Sequence, residues 1–302
     1  MLQKIKDYHF TPLFCLVVYV LIFAVSYIKL QSEYSVASFF TVFVLQILVF
    51  ILPAVIYKRI RGPIKYKELG IRPFGLSSVL LIICASVFMF CAAVLTSFSV
   101  NNVSGAYYAD LTEITVPQII YAVVIYCLLP AIAEEIAFRS VIYGEYRKHG
   151  ILGAVLLSSV LFSLMHFSLS LFFTYFICGI VLALVYEVTK SVFASMIVHF
   201  LYNLLSVFTS RLLHEATKKA DNLIPFVFIF VCVMLLFLFF SLSRAQKILE
   251  FDAEKIPEAE NEKFPPLQIR LRSLLVSVLS PGFIVCLGFA FFAGIMKLKQ
   301  YG

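Results

Sequence analysis

The sequence has little charge. Only 14% of its 302 residues are Asp, Glu, Lys or Arg, whereas 62% are hydrophobic, and the mean hydropathy is +0.99. Soluble domains carry roughly 25% charged and about 45–50% apolar residues, so this composition excludes a water-soluble globular chain. Apolar runs of about 20 residues, the length that crosses a bilayer, recur along the sequence. The composition therefore predicts an all-α, polytopic transmembrane helical bundle with the lipid bilayer as its solvent.

The placement of the cysteines and the aromatic composition bear on further classes of protein and site. The seven cysteines lie within apolar runs at no metal-like spacing, which excludes a disulfide framework and a cysteine-based zinc site. Tryptophan is absent, and the 32 Phe and 16 Tyr are expected to pack and to face lipid. The net charge of +7 is concentrated in loops, where it sets membrane topology, so we expect no nucleic-acid partner.

The apolar runs predict about nine spans, and a count of eight fits nearly as well. The spans lie near residues 11–28, 36–57, 76–99, 118–146, 151–169, 171–188, 191–210, 223–243 and 274–296. Three regions follow: N-terminal transmembrane helices (1–114), a core (115–210), and C-terminal helices (211–302) that include a cytoplasmic linker at 244–272.

The basic loops predict the orientation. Residues 57–73 contain six Lys or Arg, and residues 100–117 contain none. The positive-inside rule therefore places the N-terminus in the cytoplasm, with an uncleaved first span. Lys218 and Lys219 fall on the outer side as a minor exception. We expect a multi-pass integral membrane protein, and its size and the lack of a targeting tail fit a bacterial cell membrane.

Three charges lie well away from the ends of the span at 118–146. Glu134, Glu135 and Arg139 stand near its middle, where one charged side chain costs at least about 2.5–3.5 kcal/mol. Glu135 and Arg139 are four residues apart and can form an ion pair on one helical face. Glu134 is rotated by about 100° from Glu135 and points elsewhere. A structural ion pair and a neutral Glu134 would also explain this segment alone.

Two later spans carry histidines with a partner one helical turn away. Phe162 precedes His166 by four residues, and Asn203 follows His199 by four. Each pair is therefore expected on one face of a helix. A single histidine in an apolar helix is more often a packing residue than a reactive one, so depth in the membrane has to decide.

The depths agree. Glu134 lies 16 residues before Gly150 and His166 lies 16 residues after it, so antiparallel helices bring both to one height. His199 and Asn203 lie about 14–20 Å from the start of their span near residue 190, at a rise of about 1.5 Å per residue. The sequence therefore predicts one shared buried polar site.

Such a site has the groups for peptide hydrolysis without a covalent intermediate. A glutamate in a low-dielectric environment can act as a general base, and a histidine beside it can help hold a water molecule. A second histidine and an asparagine can donate to the developing oxyanion. Ser140 and Cys127 have no paired base at local spacing, which disfavours a covalent nucleophile. Zinc binding stays open as a weaker alternative, because the HExxH pattern is missing.

The ordered motifs EExxxR (Glu134, Glu135, Arg139), FxxxH (Phe162, His166) and HxxxN (His199, Asn203) resemble the CPBP family. This family contains the CAAX-type prenyl endopeptidases and the bacterial Abi proteins, which process bacteriocins or provide self-immunity. The resemblance covers about residues 115–207 and implies an intramembrane protease with a multi-helix fold.

The resemblance also implies a role for each matching residue. Glu134 and His166 would activate water, and His199 and Asn203 would stabilise the oxyanion. Glu135 and Arg139 would support the site by pairing, and Phe162 would be a packing element. We expect no cofactor. If the enzyme used zinc instead, Glu134, His166 and His199 would be the ligands.

The expected substrate is a peptide or the C-terminal tail of a membrane protein. Prenylated CAAX substrates belong to the eukaryotic branch of the family, whereas a bacteriocin or pheromone precursor would suit a bacterial chain. A non-proteolytic immunity or scaffold protein is the main alternative. A transporter with a Glu/His relay is a lesser one, because the sequence shows no internal repeat.

Overall fold

The computed structural model describes residues 2–28, 35–61, 69–98, 115–219, 222–255 and 266–301, and these contain ten helices and no strand. The helices are α1 (Leu2–Val25), α2 (Val36–Arg61), α3 (Ser77–Phe98), α4 (Val116–Arg147), α5 (Ile151–Leu164), α6 (Phe172–Thr189), α7 (Val192–Lys219), α8 (Ile224–Lys255), α9 (Leu267–Val278) and α10 (Pro281–Tyr301). The predicted all-α fold class is confirmed.

Seven of the described helices are long and apolar enough to cross a membrane, namely α2, α3, α4, α6, α7, α8 and α10. Two shorter apolar segments, Phe10–Val25 in α1 and Ile151–Leu164 in α5, coincide with the other two predicted spans. Each of the nine predicted spans therefore overlaps an apolar helix.

The C-terminal region differs from the prediction. The linker predicted at 244–272 is helical at both ends, because α8 continues to Lys255 and α9 begins at Leu267; residues 256–265 lie outside the described part. The span predicted at 274–296 is also interrupted. It breaks between α9 and α10, where Ser280 Oγ accepts a hydrogen bond from the Phe283 backbone N–H at 3.2 Å.

Several other predictions fall on residues that the structure does not describe. Most of the two loops that set the predicted orientation, at 62–68 and 99–114, lies outside the described residues. The side chains of Lys218 and Lys219 also lie outside the described part of the structure. The predicted regional boundary at 210 lies within α7.

Proline shapes two of the spanning helices. The π-helical segment Ile47–Ile51 of α2 ends just before Pro53, and the segment Val123–Leu128 of α4 ends just before Pro130. Proline has no N–H and its ring crowds the carbonyl four residues earlier, so the regular hydrogen-bond ladder cannot continue through it. Instead, the Leu52 N–H bonds the carbonyl of Ile47, five residues back, which gives the wide turn of a π-helix.

Ion pairs join the C-terminal ends of α2, α4 and α6. Glu145 and Glu187 each form ion pairs or hydrogen bonds with several side chains at this end of the bundle. The partners are Lys58, Arg61 and Lys148 for Glu145, and Tyr143, Arg147 and Lys190 for Glu187. The N-terminal helix pair is thereby tied to the core, and basic side chains gather on the face that the positive-inside rule assigns to the cytoplasm.

The helices α5 and α6 approach each other closely at Gly179. A Cβ added at Gly179 would lie 2.9 Å from the Ser159 Cα, which is backbone and cannot move aside cheaply. Gly288 of α10 has no such neighbour within 4 Å.

We expect Gly179→Ala to destabilise the protein by about 1–3 kcal/mol, the usual cost of overpacking a close contact. Thermal unfolding in detergent micelles should show a lower Tm. Gly288→Ala is the matched control and should leave the Tm unchanged or slightly raised. An equal Tm for both variants would contradict the close α5–α6 contact.

Candidate active site

Glu135 is the centre of a buried charged cluster. Its side chain is fully buried, and the Arg139 Nε donates to its Oε2 at 2.9 Å, so the structure contains the ion pair that the spacing predicts. Its other oxygen, Oε1, lies 3.1 Å from the His199 Nδ1. A carboxylate facing a ring nitrogen accepts a hydrogen bond from it, so this contact assigns a proton to Nδ1. Glu135 thus fixes the orientation of His199.

The opposite edge of the His199 ring faces Glu134. The His199 Nε2 lies 3.9 Å from the Glu134 Oε2, too far for a hydrogen bond but close enough for electrostatic interaction. Glu134 is rotated away from Glu135 as predicted, and its Oε2 is buried without a hydrogen-bond partner among the described residues. The two adjacent glutamates therefore face different surroundings, one paired and one open.

Glu134 and His166 line the same cavity, as the depth argument predicts. The cavity has a volume of about 290 Å³, and α1 and α2 supply most of its apolar wall. The His166 Nε2 is also buried without a hydrogen-bond partner in the described part of the chain. Two residues with a buried, unpartnered polar atom, one on α4 and one just after α5, thus line one cavity.

His166 does not lie on a helix with Phe162, contrary to the prediction. The helix α5 ends at Leu164, and the following bonds are tighter, from the His166 N–H to the Ser163 carbonyl at 3.3 Å and from the Phe167 N–H to the Leu164 carbonyl at 3.2 Å. Phe167 then adopts a left-handed conformation with φ of 51°, which turns the chain away from the helix axis. His166 therefore belongs to a turn.

Phe162 nevertheless contacts both histidines. Its ring centroid lies 5.3 Å from that of His166 and 5.9 Å from that of His199, in both cases edge-to-face. The Arg139 guanidinium lies over the same ring at 5.2 Å. Phe162 thus fills the space between the charged cluster and the cavity, and the cation–π contact adds to the burial of Arg139.

Asn203 lies one turn after His199 on α7 and faces α4. Its Nδ2 donates to the Cys127 carbonyl at 3.5 Å, the limit of a hydrogen bond. The described residues that line the cavity include neither Asn203 nor His199. The structure thus brings Glu134 and His166 together directly, with His199 beside Glu134 and Asn203 further from the cavity.

The sequence reasoning missed two residues. The His166 ring stacks on Tyr175 of α6, with ring centroids 3.7 Å apart and planes 12° from parallel. Gln46 of α2 lines the cavity, and its Oε1 is buried without a hydrogen-bond partner among the described residues. Nothing marks Tyr175 among the 16 tyrosines, but an amide inside an apolar span was a signal for Gln46.

No group of three His, Cys, Asp or Glu side chains within the described residues is placed to hold a metal ion. The alternative zinc ligands Glu134, His166 and His199 therefore do not form such a group. Two of their atoms, the Glu134 Oε2 and the His166 Nε2, do face one cavity.

Residues 116–205 match the family model for type II CAAX prenyl endopeptidases, described as Rce1-like. This part of the chain is similar to the CAAX-type proteases of the CPBP family. The matched segment comprises α4, α5, α6 and the first half of α7, and it contains all seven residues that the motifs single out. The match supports a CAAX-type intramembrane protease in general. No curated protein and no solved structure matches the chain.

The CPBP segment does not enclose the cavity by itself. Ile22 and Val25 of α1 and Val42, Leu45 and Gln46 of α2 lie outside the matched residues and form the facing wall. The surroundings of Glu134 and His166 therefore include residues outside the matched segment.

We expect Glu135→Gln to destabilise the protein by about 3–5 kcal/mol, because removing one partner of a buried ion pair leaves the other charge uncompensated. The double variant Glu135→Gln/Arg139→Gln should be more stable than Glu135→Gln alone, since it also removes the orphaned charge. Unfolding in detergent measures both.

The matched control is Glu215→Gln on α7. Its partner Arg211 is also four residues away, at 2.8 Å, but both side chains are partly exposed, so the pair contributes at most about 1 kcal/mol. If Glu135→Gln lowers the free energy of unfolding no more than Glu215→Gln does, the buried cluster contributes little to stability.

Proposed function

We propose that the CPBP core hydrolyses a peptide bond with a water molecule activated by Glu134 and His166. The observation that carries this proposal is that Glu134 and His166 line one cavity and that each has a buried polar atom, the Glu134 Oε2 and the His166 Nε2, without a partner among the described residues. Buried polar atoms in proteins are almost always hydrogen-bonded, so the pair is suited to a polar occupant. A water molecule between a carboxylate and an imidazole is that occupant in this proposal.

The reaction has two proton transfers. Glu134 takes a proton from the water as its oxygen attacks the carbonyl carbon of the peptide bond, and the carbonyl oxygen becomes an oxyanion. Glu134 then returns the proton to the leaving nitrogen as the carbon–nitrogen bond breaks. The products are a carboxylic acid and an amine, and the acid then passes its proton to the amine to give a carboxylate and an ammonium group. No covalent enzyme intermediate forms.

His199 and Asn203 stabilise the oxyanion in this proposal. Because the His199 Nδ1 faces Glu135, its Nε2 can donate to the oxyanion only when both ring nitrogens carry protons. The long contact from the Asn203 Nδ2 to the Cys127 carbonyl leaves that donor free to turn at little cost. Such donors, aimed at a developing negative charge, typically contribute a factor of about 10²–10³ in rate.

The substrate in this proposal is a peptide or the C-terminal tail of a membrane protein that reaches the cavity from the bilayer. The apolar wall contributed by α1 and α2 favours apolar side chains. We propose no resident metal, because Glu134 and His166 supply a base and a second group for the water.

We expect Glu134→Gln and His166→Ala to lower peptide cleavage at least about 100-fold, since each removes a group that holds or deprotonates the water. Wild type and variants would be compared in proteoliposomes on a fluorogenic peptide library that includes prenylated CAAX peptides. Glu250→Gln, an exposed carboxylate that accepts from Gln246 at 2.7 Å, is the control and should cleave like wild type.

The same assay separates the rival mechanisms. Cleavage that a chelator abolishes and zinc restores would make Glu134, His166 and His199 metal ligands. Full cleavage by Glu134→Gln would overturn the water-activation proposal. Full biological activity of Glu134→Ala in cells, without any cleavage, would favour a non-proteolytic immunity or scaffold protein.

We further propose that the N-terminus lies in the cytoplasm of a bacterial cell, because the basic ends of α2, α4 and α6 lie on one face. In a Cys232→Ser background, Lys148→Cys should resist a membrane-impermeant maleimide in intact cells, and Leu223→Cys should react. Both positions are accessible at opposite ends of the bundle, and the six other cysteines are buried. The reverse labelling pattern would invert the orientation.

A further inference from the structure

Gln46 is the third polar residue in the cavity wall. It lies on the α2 face formed by Val42, Leu45, Val49 and Phe50, all of which line the cavity together with Glu134 and His166. The Gln46 Oε1 is buried and accepts no hydrogen bond from the described residues. The cavity therefore contains an amide on one helix and the two proposed water-activating groups on others.

The backbone of α2 holds Gln46 in this position. The residue immediately precedes the π-helical segment Ile47–Ile51, whose wide turn is set by Pro53. Lys58, further along α2, is anchored to Glu145 of α4 at 3.2 Å. Because α2 is fixed at its basic end and packs against the α4 turn that carries Glu134, Gln46 faces the cavity from a rigid support.

A packing role does not account for a glutamine here. Burying an amide without a partner costs free energy, whereas a leucine of similar size would pack at no such cost. The residue is therefore better suited to a ligand that supplies the missing hydrogen bond.

A peptide main chain is the ligand that complements this side chain. The glutamine side chain carries one carbonyl acceptor and one NH₂ donor group, and a residue of an extended peptide presents its main-chain N–H and C=O on one side as the matching donor and acceptor. The cavity volume of about 290 Å³ far exceeds the roughly 30 Å³ that one water occupies. The apolar residues beside Gln46 suit the side chains of such a peptide.

We propose that Gln46 is a peptide-positioning residue, whose amide pairs with the main-chain peptide group next to the scissile bond and holds the substrate against Glu134 and His166. This inference rests on the proposed function and extends it to α2. Gln46 lies outside the matched residues 116–205, so α2 adds a substrate contact to a core that contains the reacting groups.

Gln46→Leu tests the inference with two readouts. The first is kcat/KM on the best-cleaved peptide, which should fall about tenfold, mainly through KM. The second is the Kd of a dansyl-labelled copy of that peptide for the Glu134→Gln protein, which should rise about tenfold when Gln46→Leu is added. The Tm should stay unchanged or rise, since an unpaired buried amide is replaced by an apolar group.

Thr41→Val is the matched control. Thr41 lies on the same helix, does not line the cavity, and its hydroxyl donates to the Ala37 carbonyl at 2.8 Å. Its kcat/KM and Kd should match those of wild type. A substrate whose neighbouring peptide group is replaced by an ester should lose less affinity in Gln46→Leu than in the parent, because the contact is already absent.

Each outcome bears on a different claim. Cleavage that is unchanged in Gln46→Leu, or a loss accompanied by a lower Tm, overturns the positioning role while the proposed function stands. Binding that depends on Gln46 in a protein that cleaves nothing supports the peptide contact and overturns the hydrolysis. If none of the labelled library peptides binds the Glu134→Gln protein, both claims are overturned.

Discussion

The Glu135 carboxylate, shared between Arg139 and His199, is the interaction on which the rest of the site depends. All three groups are held away from water, where an isolated charge is unstable, so each needs the others in place. This need fixes α7 against α4, because Arg139 and Glu135 belong to one helix and His199 to the other. Phe162 of α5 packs against Arg139 of this cluster and also against His166, so it links the cluster to the turn that contains His166.

The division between paired and open carboxylates follows from helical geometry. Adjacent residues point about 100° apart, so Glu135 is enclosed by the α4–α7 contact while Glu134 faces the cavity. One glutamate thus serves structure and orientation, and its neighbour is left with a buried oxygen that has no partner among the described residues. The cavity is completed by α1 and α2, which lie outside the matched segment. Glu134 and His166 and the facing wall of the cavity therefore come from different parts of the chain.

Much of this arrangement could be predicted from the sequence, because helices have a fixed rise and a fixed rotation per residue. Glu134 and His166 are equally far from Gly150 along the sequence, which predicted that they lie at one depth. Both residues do line one cavity, although His166 lies in a turn. The end of α5 at Leu164 had no such signal, since no proline or glycine marks it. The extension of α8 to Lys255 was obscured because charged residues outside the membrane are compatible with either a loop or a helix.

Other features required the tertiary structure. The stacking of His166 on Tyr175 depends on how α6 returns beside α5, which periodicity does not specify. Gln46 could be noticed as an amide in an apolar span, but only the shape of the cavity relates it to Glu134. The roles of the seven motif residues remain predictions, since geometry places them without testing what they do.

The π-helical segment of α2 has a consequence for the phase of that helix. It lies between Gln46, which faces the cavity, and Lys58, which binds Glu145 at the basic end of the bundle. The wide turn holds about one residue more than a regular ladder would need to join the same two points, because each N–H there bonds five residues back instead of four. A regular α-helix of the same number of residues would rotate one half of α2 relative to the other, so the cavity face and the anchored end could not both engage α4. The residue taken up by the wide turn thus sets the phase between Gln46 and Lys58.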